Sequence, residues 1–579
     1  MESKERFLKT AFITVASLGV AAVYFSIVLG QNVNSMYYYG LISIPFFIIF
    51  AFSIYGRYID EKAGIEISRE WGKKIDRKRH FDVIDKLFFY ENKEKGFFID
   101  DQTFQDLNLK EIFEMLDRTY STPGEQTLYK ILRMPLFNKT EIEKREQFIR
   151  FFQKNEKLRH KIQMALYKIG RSRESYTTEI LFEKLPENNP IRFFVYFMSV
   201  APILSALTIP FLKSKAVVLI LLSVIINIGL HNYIKNKISI EVSSFGRIGS
   251  IVKGALSISS LNCSEINEEY KELKKYANSC KKMAKKTSFI GRTEGLDIIS
   301  DYMYNAFLIE ESCFFMVINK MRKSQKKLKY LYESIGEIDA LISIASFREG
   351  LNKNYSEPEF IEEGKKIKIQ NMRHPLIKNA VPNSIEINES GIIITGSNMS
   401  GKSTFLRTFG VNVLFSQTIC TCLCEKYEGS FFKVITSISP DDNIMGGKSY
   451  YMAEAEAILR IIKNCDGENP SLCIIDEIFR GTNPVERISA ACEILDYLPE
   501  HFATAIVATH DIELADMVKH RYDCYYFTED VGKEGLEFDY KIKKGIIKTR
   551  NAIKLLKFLG YPEEIVEGAE KRANEEIKE

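Results

Sequence analysis

The sequence predicts an α/β domain joined to an all-α region that carries transmembrane helical hairpins. Apolar stretches without charged residues occur near the N-terminus and again around residue 200, and three short β-branched runs beyond residue 390 each end in polar residues. Helical patterning fills most of the remaining chain. Single hydrophobic cores rarely exceed roughly 250 to 300 residues, so a chain of 579 residues is expected to form several domains.

The overall charge does not favour a polyanionic partner. The chain has 80 basic and 76 acidic residues, a formal net charge of +4, so binding of nucleic acid would have to rest on local patches. Ten cysteines lack the spacing of a disulfide framework or a zinc site, which favours a reducing compartment. Cys420, Cys422 and Cys424 lie in an apolar stretch without a C-x-x-C pair, and we interpret them as buried structural thiols.

The first sixty residues are predicted to form a transmembrane hairpin. Charged residues are absent between Lys9 and Arg57, and the apolar segments 11–29 and 39–55 flank a polar turn at 31–35. A helix needs about 20 apolar residues to cross the hydrocarbon of a membrane. Because no convincing signal cleavage site precedes the second segment, we expect the hairpin to be retained.

A second transmembrane hairpin is predicted within residues 191–235. Its apolar segments are 193–212 and 216–233. Pro202 and Pro210 keep the alternative of buried core helices open, since proline in a lipid-exposed helix needs local repair of the freed carbonyl groups. The same alternative applies, less strongly, to the first pair.

The charges that flank these segments predict the orientation of the chain. An even number of crossings places both large polar regions on one side, and the positive-inside rule makes that side cytoplasmic. Lys213 and Lys215 favour the opposite orientation but are outnumbered. We therefore expect a multi-pass protein of the cell membrane with its helical and α/β regions in the cytoplasm. The basic residues on the cytoplasmic side are Lys4, Arg6, Lys9, Arg57, Lys62, Lys235 and Lys237.

The first β-branched run leads into a phosphate-binding motif. Residues 391–395 read as a buried strand and are followed by G-x-x-x-x-G-K-S and a helical pattern. In this motif backbone amides surround phosphates at the positive end of a helix. Lys402 is expected to neutralise the β and γ phosphates of ATP, and Ser403 to offer its hydroxyl to Mg²⁺. The loop consists of Gly396, Ser397, Asn398, Met399, Ser400, Gly401, Lys402 and Ser403.

Two further runs bring acidic and imidazole groups to the same edge of the predicted sheet. Residues 471–475 end in Asp476 and Glu477, and residues 504–509 end in His510. Ligands bind at the carboxyl edge of open α/β sheets. Asp476 is expected to hold Mg²⁺, Glu477 to orient and deprotonate water, and His510 to sense the γ phosphate. The alternatives are a solvated acidic loop and a structural histidine.

These motifs together resemble the MutS mismatch-repair ATPase family. The resemblance is carried by residues 373–376, 395–404, 476–482 and 508–510. The Asn-Met pair in the phosphate loop and the Arg-Gly-Thr run after the acidic pair separate this family from other P-loop proteins. The resemblance implies an α/β P-loop NTPase domain of the ABC/MutS type over residues 366–579, which a C-terminal helical segment closes.

The resemblance also implies roles for individual residues. It places Glu477, His510 and Lys402 in catalysis of ATP hydrolysis. The nucleotide-binding set would contain the whole phosphate loop, Thr404, and Ser449 of a partner subunit acting in trans. We therefore expect a homodimer through the ATPase domains, and poor hydrolysis by a monomer.

Part of the helical region resembles the same family. Residues 112–119, followed by Gly124, are similar to the start of the family's helical core, and residues 335–341 are similar to its last segments before the ATPase. We therefore expect a helical core over 61–190 and a second core and lever half over 236–365.

The departures from the family are equally specific. We expect no mismatch-recognition domain, because only about a hundred residues precede the part that resembles the family's core. The hairpin within 191–235 stands where the family extends levers to a DNA clamp. We infer that the levers run to the bilayer. The family places an adenine-stacking aromatic before the phosphate-loop strand, whereas residues 381–384 offer none, so the means of adenine selection stays open.

Two basic clusters have three interpretations. They can face DNA, anionic lipid or only solvent, because phosphate groups of DNA and of lipids attract the same side chains. The clusters are Lys271, Lys274, Lys275, Lys281, Lys282, Lys285 and Lys286, and then Arg322, Lys323, Lys326, Lys327 and Lys329.

We therefore expect a membrane-anchored ATPase of this family whose nucleotide cycle opens and closes a dimer and moves helical levers, with binding of mismatched DNA left open. The alternatives are a transport-type ATPase and an ATP-binding membrane scaffold without a DNA role. A transporter is disfavoured because four apolar runs make a small pathway, we find no intramembrane charge, and an L-S-G-G-Q signature is absent. The Asp476 and Glu477 pair disfavours the scaffold.

Overall fold

The computed structural model describes most of the chain as two compact units. The first consists of Met1–Tyr90, Arg118–Leu128 and Phe151–Gly350, and the second of Glu91–Asp117, Tyr129–Arg150 and Leu351–Glu579. The described residues are 2–91, 96–173, 176–183, 190–212, 214–261, 263–287, 305–361, 364–389, 391–397, 400–438, 450–465, 467–479, 483–532, 535–546, 556 and 559–575.

The first unit is helical and begins with a hairpin. Helix α1 (Glu2–Asn32) and helix α2 (Ile44–Glu70) are joined by a 3₁₀ segment, Ser35–Ser43, which Asn34 caps by accepting a hydrogen bond from the backbone amide of Met36. Large apolar side chains cover the outside of this hairpin. Val20 and Phe46, for example, are 71% and 72% exposed. Such a surface is unusual in a water-soluble monomer.

The remaining helices of the first unit include two that exceed forty residues. The elements up to Arg133 are α3 (Phe81–Ile84), α4 (Lys86–Glu91), α5 (Asp101–Asp106), α6 (Leu109–Leu116) and α7 (Thr122–Arg133), of which α5 and α6 belong to the second unit. Those that follow are α8 (Lys139–Lys154), α9 (Glu156–Ile169), α10 (Tyr176–Phe182), α11 (Ile191–Leu207), α12 (Ile209–Leu212), α13 (Ser214–Ser259), α14 (Ser264–Glu269), α15 (Lys271–Thr287) and α16 (Ile309–Gly350). Residues 139–150 of α8 belong to the second unit.

The second apolar hairpin differs from the prediction in its first arm. The predicted helix 193–212 is wrong at Thr208, where α11 ends and the short α12 begins. Pro210 explains the break, because proline lacks an amide hydrogen and its ring collides with the carbonyl four residues earlier. The second arm is part of α13, which continues unbroken for 46 residues, roughly 70 Å of helix.

Three helices among the described residues are long and apolar enough to cross a membrane. They are Ser3–Asn32, Tyr39–Glu70 and Ser214–Ile234, while Ile191–Leu207 is apolar but shorter. The number of crossings and their orientation stay predictions.

The basic clusters lie on neighbouring helices. Helix α15 packs on α16, and the rings of Tyr276 and Tyr330 meet edge to face at 5.3 Å between centroids. We call the exposed basic residues on these two helices the basic face. Its members are Lys271, Lys274, Lys275, Lys281, Lys282, Lys285, Arg322, Lys323 and Lys326.

A close helix crossing underlies the motif residues of the helical core. Asp339 of α16 is fully buried and accepts hydrogen bonds from the backbone amide and the hydroxyl of Ser121, at 2.8 and 2.6 Å. A Cβ atom on Gly124 would lie 2.1 Å from the Asp339 carboxylate. Burial raises the pKa of Asp339 to about 6, and the Ser121 hydrogen bonds oppose that rise.

The second unit contains two β-sheets. Strands β1 (Pro358–Phe360), β5 (Lys426–Gly429), β2 (Lys366–Met372) and β3 (Asn383–Asn388) form a four-stranded sheet in that order. The other sheet has six strands in the order β10 (Gly535–Lys544), β9 (Asp523–Gly532), β4 (Gly391–Thr395), β8 (Ala503–Thr509), β7 (Ser471–Asp476) and β6 (Lys433–Ser437). Its helices are α17 (Lys402–Thr418), α18 (Tyr450–Lys463), α19 (Pro484–Glu500), α20 (Ile512–Val518) and α21 (Glu563–Glu575).

Part of the predicted helical core belongs to this second unit. Residues 91–117 and 129–150 fall within 61–190 but group with the sheets. The reason is a polar contact with β6. Thr436 donates to the buried carboxylate of Asp106 at 2.6 Å, and the backbone amide of Ile438 donates to the same group at 3.0 Å.

Candidate active site

The candidate site lies where three parallel strands of the larger sheet end. Thr395 of β4 pairs with Thr509 of β8, and Asp476 of β7 pairs with Ala508 of β8. Every residue of these three strands is buried. The predicted convergence of the three strand ends is therefore confirmed, and whatever follows each strand lies at one edge of the sheet.

The loop after β4 has the backbone that its glycines predict. Gly396 and Gly401 have φ values of +147° and +104°, which residues other than glycine rarely adopt. Helix α17 begins directly afterwards at Lys402, so its amino end faces the loop. A loop of this kind presents backbone amides and the positive end of a helix to an anion.

Lys402 is held over this loop. Its side chain is 5% exposed, and its Nζ atom donates hydrogen bonds to the carbonyl oxygens of Gly396 and Ser397 at 2.5 and 2.7 Å. Ser400 is buried and donates to the Ser397 carbonyl at 2.8 Å, which fixes the loop from inside. The ammonium group is thus positioned within the loop by neutral acceptors that a phosphate oxygen can replace.

The two predicted metal ligands contact each other. The hydroxyl of Ser403 donates a hydrogen bond to the carboxylate of Asp476, which is 7% exposed at the end of β7. A hydroxyl and a carboxylate side by side are hard oxygen ligands of the type that Mg²⁺ prefers. The residues present therefore fit this metal.

The acid and the imidazole of the site also contact each other. His510 Nε2 lies 2.5 Å from Glu477 Oε1, and the Glu477 side chain is 12% exposed. The backbone amide of Glu477 donates to the carbonyl of Ala508 at 2.9 Å, which ties the start of the loop to β8. Glu477 has a φ of +67°, and Phe479 one of +60°. Strained backbone of this kind clusters at functional sites.

His510 is followed by an anchored acidic residue. The guanidinium group of Arg487 on α19 donates to both carboxylate oxygens of Asp511 at 2.7 and 3.0 Å. The Thr509 hydroxyl accepts from the Asp511 backbone amide at 3.0 Å. These contacts fix the chain on both sides of His510 and leave its ring directed at Glu477.

Some predicted site residues lie outside the described part of the chain. Asn398, Met399 and Ser449 are among them, as is the Arg-Gly-Thr run at 480–482. Their placement stays a prediction. Thr404 lies in the first turn of α17 with its side chain exposed.

The Arg-His-Pro motif, residues 373–375, contributes a buried histidine to the second unit. His374 is buried, and its Nδ1 accepts a hydrogen bond from the backbone amide of Leu376 at 3.2 Å. Burial and the nearby Arg407 lower the pKa of His374 to about 4. The imidazole is therefore neutral near pH 7, which the acceptor role of Nδ1 requires.

Tyr540 is a site residue that the sequence did not reveal. A Cβ atom on Gly401 would lie 3.2 Å from the ring of Tyr540, which is 44% exposed and has a φ of +53°. The β9 and β10 pairing shifts register between Phe538 and Ile542, so Tyr540 lies on a bulge. Bulges often redirect a side chain beside an active site.

Residues 381–384, the segment without an aromatic residue, are joined to this bulge by hydrogen bonds. The Asn383 side chain donates to the Tyr540 carbonyl at 2.9 Å and accepts from the Ile542 amide at 2.9 Å. The Lys541 ammonium group donates to the Pro382 carbonyl. Tyr540, an aromatic residue, thus lies next to the 381–384 segment, although it follows Asn383 by 157 positions in the chain.

Comparison with known proteins agrees with this architecture. A model of MutS domain V matches residues 392–577, and a model of MutS domain III matches residues 99–345, so the two together cover more than half of the chain. The chain belongs to the MutS family. The chain is similar to the DNA mismatch repair protein MutS of Petrotoga mobilis, with 32% identity over 276 residues, which cover 45% of this chain and 33% of the relative.

Other MutS relatives show the same partial coverage. The DNA mismatch repair protein MutS of Caldicellulosiruptor saccharolyticus is 30% identical over 297 residues, 48% of this chain and 34% of that protein. The protein of that name from Thermus thermophilus is 28% identical over 264 residues, 45% of this chain and 32% of its own length. The MutS similarity thus spans about a third of the length of these relatives.

Proposed function

We propose that this MutS-family protein is a membrane-anchored ATPase. One observation carries the proposal: five polar side chains lie at one edge of one sheet. Ser403 contacts Asp476, and His510 contacts Glu477. Lys402 lies beside these two pairs. Phosphate, metal and water chemistry need this combination of cation, hard oxygen ligands and a base.

The contacts suggest what each side chain does. Lys402 exchanges its two backbone carbonyl partners for phosphate oxygens and offsets their charge. Ser403 and Asp476 would hold Mg²⁺, which supplies neutralisation of charge that develops on phosphate oxygens. Glu477 orients water and accepts its proton, while His510 holds the Glu477 carboxylate in place and can hydrogen-bond to a phosphate.

Tyr540 provides a surface for the adenine ring. It is exposed, lies against the phosphate loop, and is fixed by its backbone contact with Asn383. Aromatic side chains stack on nucleic-acid bases with about 1 to 3 kcal/mol per base. Under this proposal, Tyr540 takes the place of the aromatic residue that residues 381–384 lack.

Two further parts of the proposal concern assembly and location. Ser449 would complete the site of a partner subunit, so that a homodimer forms two composite sites. The exposed apolar helices α1, α2 and the start of α13 would anchor the protein in the cell membrane, with the helical core and the ATPase domain in the cytoplasm. The long helix α13, which continues from its apolar segment into the packed helices, supports lever movement towards the bilayer.

The ATPase proposal is tested with the full-length protein in detergent. Lys402→Ala should remove binding of ATP, whereas Glu477→Gln should keep binding and lower kcat by about 100-fold to 10,000-fold. Lys519→Ala is a matched control, because this exposed lysine pairs only locally with Asp516. Undiminished hydrolysis in both site variants would refute the proposal.

Binding of DNA is a second candidate function. The basic face motivates it, since six exposed lysines of α15 adjoin exposed basic residues of α16. Each neutralised phosphate contributes to a steep salt dependence of binding. Duplex DNA should bind more weakly to a variant with Lys274, Lys281 and Lys285 changed to Gln. A repair role further requires tighter binding to mismatched duplex, and no binding at low salt would end this candidate.

A further inference from the structure

An acidic side chain contacts the phosphate loop from the neighbouring strand. The carboxylate of Glu529 on β9 accepts a hydrogen bond from the hydroxyl of Ser397, the second residue of the loop. The strands β9 and β4 are parallel neighbours, and Thr395 at the end of β4 pairs with Tyr526. The chain of β9 therefore continues past the loop, and it brings a negative charge to a loop whose predicted ligand is an anion.

Ser397 also connects this carboxylate with Lys402. The ammonium group donates to the Ser397 carbonyl at 2.7 Å, and the Ser397 hydroxyl donates to Glu529. One residue of the loop therefore contacts both charged groups. Opposite charges at such a separation attract each other, so Glu529 offsets part of the positive potential that the loop offers to a phosphate.

The strand that carries Glu529 is fixed against the loop and its helix. A Cβ atom on Gly396 would lie 3.0 Å from the Phe527 carbonyl oxygen, and the ring of Phe527 meets that of Phe405 on α17 at 5.8 Å between centroids. Residues two positions apart in a strand point to the same face, so Glu529 shares the face of Phe527 that covers α17. The carboxylate is thus positioned by packed β-structure and not by a free loop.

We propose that Glu529 is a specificity-determining residue that favours ATP complexed with Mg²⁺ over free ATP. The inference rests on the proposed ATPase function of this site. Like charges repel, so the carboxylate opposes entry of the triphosphate. Mg²⁺ neutralises part of the phosphate charge and thereby lowers this repulsion, whereas free ATP meets it in full. Glu529 thus raises the Kd for free ATP more than the Kd for its Mg²⁺ complex.

The charge of Glu529 and its hydrogen bond can be tested separately. Glutamine keeps the shape and an acceptor oxygen but has no charge, so Glu529→Gln removes only the repulsion. Ser397→Ala does the reverse, because it removes the donor and keeps the carboxylate. A carboxylate that merely supports the loop predicts that the first change has no effect on free ATP and that the second weakens binding with and without Mg²⁺.

Isothermal titration calorimetry with ATP tests the proposal on the full-length protein in detergent, once with Mg²⁺ and once with EDTA. We expect Glu529→Gln to lower the Kd for free ATP by about 10-fold and that for the Mg²⁺ complex by no more than about threefold. Ser397→Ala should keep most of the wild-type ratio of the two constants. Glu468→Gln is the matched control and should change neither, because this exposed acid precedes β7 at the opposite edge of the sheet.

Ionic strength provides a second readout that a hydrogen bond alone would not move. Salt screens the repulsion between partly exposed charges. The gain of Glu529→Gln over the wild type in binding of free ATP should therefore shrink as the concentration of KCl is raised. Glu529→Ala also removes the charge, so the comparison does not depend on the folding of one variant.

Two results would overturn the proposal. One is a Kd for free ATP that Glu529→Gln does not lower below the wild-type value, and the other is an equal gain with and without Mg²⁺. Failure of the ATPase proposal is recognised separately. A wild type that binds no ATP would refute both proposals, whereas wild-type binding that Glu529→Gln leaves unchanged would refute this inference alone.

Discussion

The hydroxyl of Ser403 donates a hydrogen bond to the carboxylate of Asp476, although 73 positions separate the two residues in the chain. Asp476→Asn should therefore weaken the metal site without unfolding the sheet, since asparagine keeps the shape and one oxygen acceptor. We expect ATP hydrolysis to fall by about 100-fold, because metal ions contribute several kcal/mol to such reactions. Raised Mg²⁺ should restore part of the rate. Ser489→Ala, at an exposed serine of α19, should change neither rate nor Mg²⁺ dependence.

His510 is predicted to act through Glu477 more than through binding of ATP. His510→Ala removes the contact at 2.5 Å that orients the Glu477 carboxylate. We expect kcat to fall by about 10-fold to 100-fold and KM to change little, because the residue positions a base. Steady-state kinetics separate the two constants. A change confined to KM would contradict the positioning role, and His501→Ala on the same unit provides the control.

Tyr540 is predicted to determine base preference. Tyr540→Ala should raise the KM for ATP by roughly 5-fold to 10-fold and reduce the preference for ATP over GTP, since base stacking contributes about 1 kcal/mol or more. Tyr540→Phe should retain both properties because the ring is kept. Competition between the two nucleotides measures the preference. Equal KM values for the wild type and the alanine variant would show that adenine binds elsewhere.

Gly124 is predicted to be essential for the helix crossing with α16. A methyl group there would lie 2.1 Å from the Asp339 carboxylate, in a place where neither helix backbone can yield cheaply. Overpacking of this kind costs typically about 1 to 3 kcal/mol, so Gly124→Ala should lower the melting temperature of the protein. Gly56→Ala is the matched control, because nothing lies within 4 Å of the added atom. An unchanged melting temperature for Gly124→Ala would refute the crossing.

Asp339 predicts how stability depends on pH. Its pKa of about 6 in the folded protein exceeds the ordinary value of 3.8, so the folded state holds a proton that the unfolded chain has released. The free energy of unfolding should therefore decrease as pH rises from about 4 to about 6, by on the order of 3 kcal/mol. Asp339→Asn should flatten this slope. Denaturant melts at several pH values decide the question, and an identical slope in the variant would count against it.

The larger sheet and its strand ends could be predicted because each buried strand is a continuous apolar run that stops at a polar residue. Asp476 ends one such strand, His510 directly follows another, and Lys402 comes after the phosphate loop that follows the third. Their convergence therefore follows from the parallel register of the strands. Tyr540 could not be found in this way, since its position depends on a bulge in β10, the strand at the edge of the sheet. The sequence indicated only that residues 381–384 lack an aromatic residue, and it did not indicate which residue takes its place.

The first, helical unit was predicted less well than the larger sheet, again for physical reasons. The apolar segments were visible from their composition. Composition alone did not show that Pro210 divides one of them into two helices. The sequence gives no sign that His231 has a polar partner, because a single histidine hardly interrupts an apolar run. Its partner Glu311 lies 80 positions later, and only the folded chain brings the two together.

The course of the chain between the two units has a practical consequence. The polypeptide passes from one unit to the other after residues 90, 117, 128, 150 and 350, and helix α7 contains one of these points. No single cut in the gene therefore yields either half as a continuous product. A fragment that begins at residue 351 would lack two stretches of its own core, and ribosomes must finish nearly the entire message before the unit that contains the two β-sheets can fold.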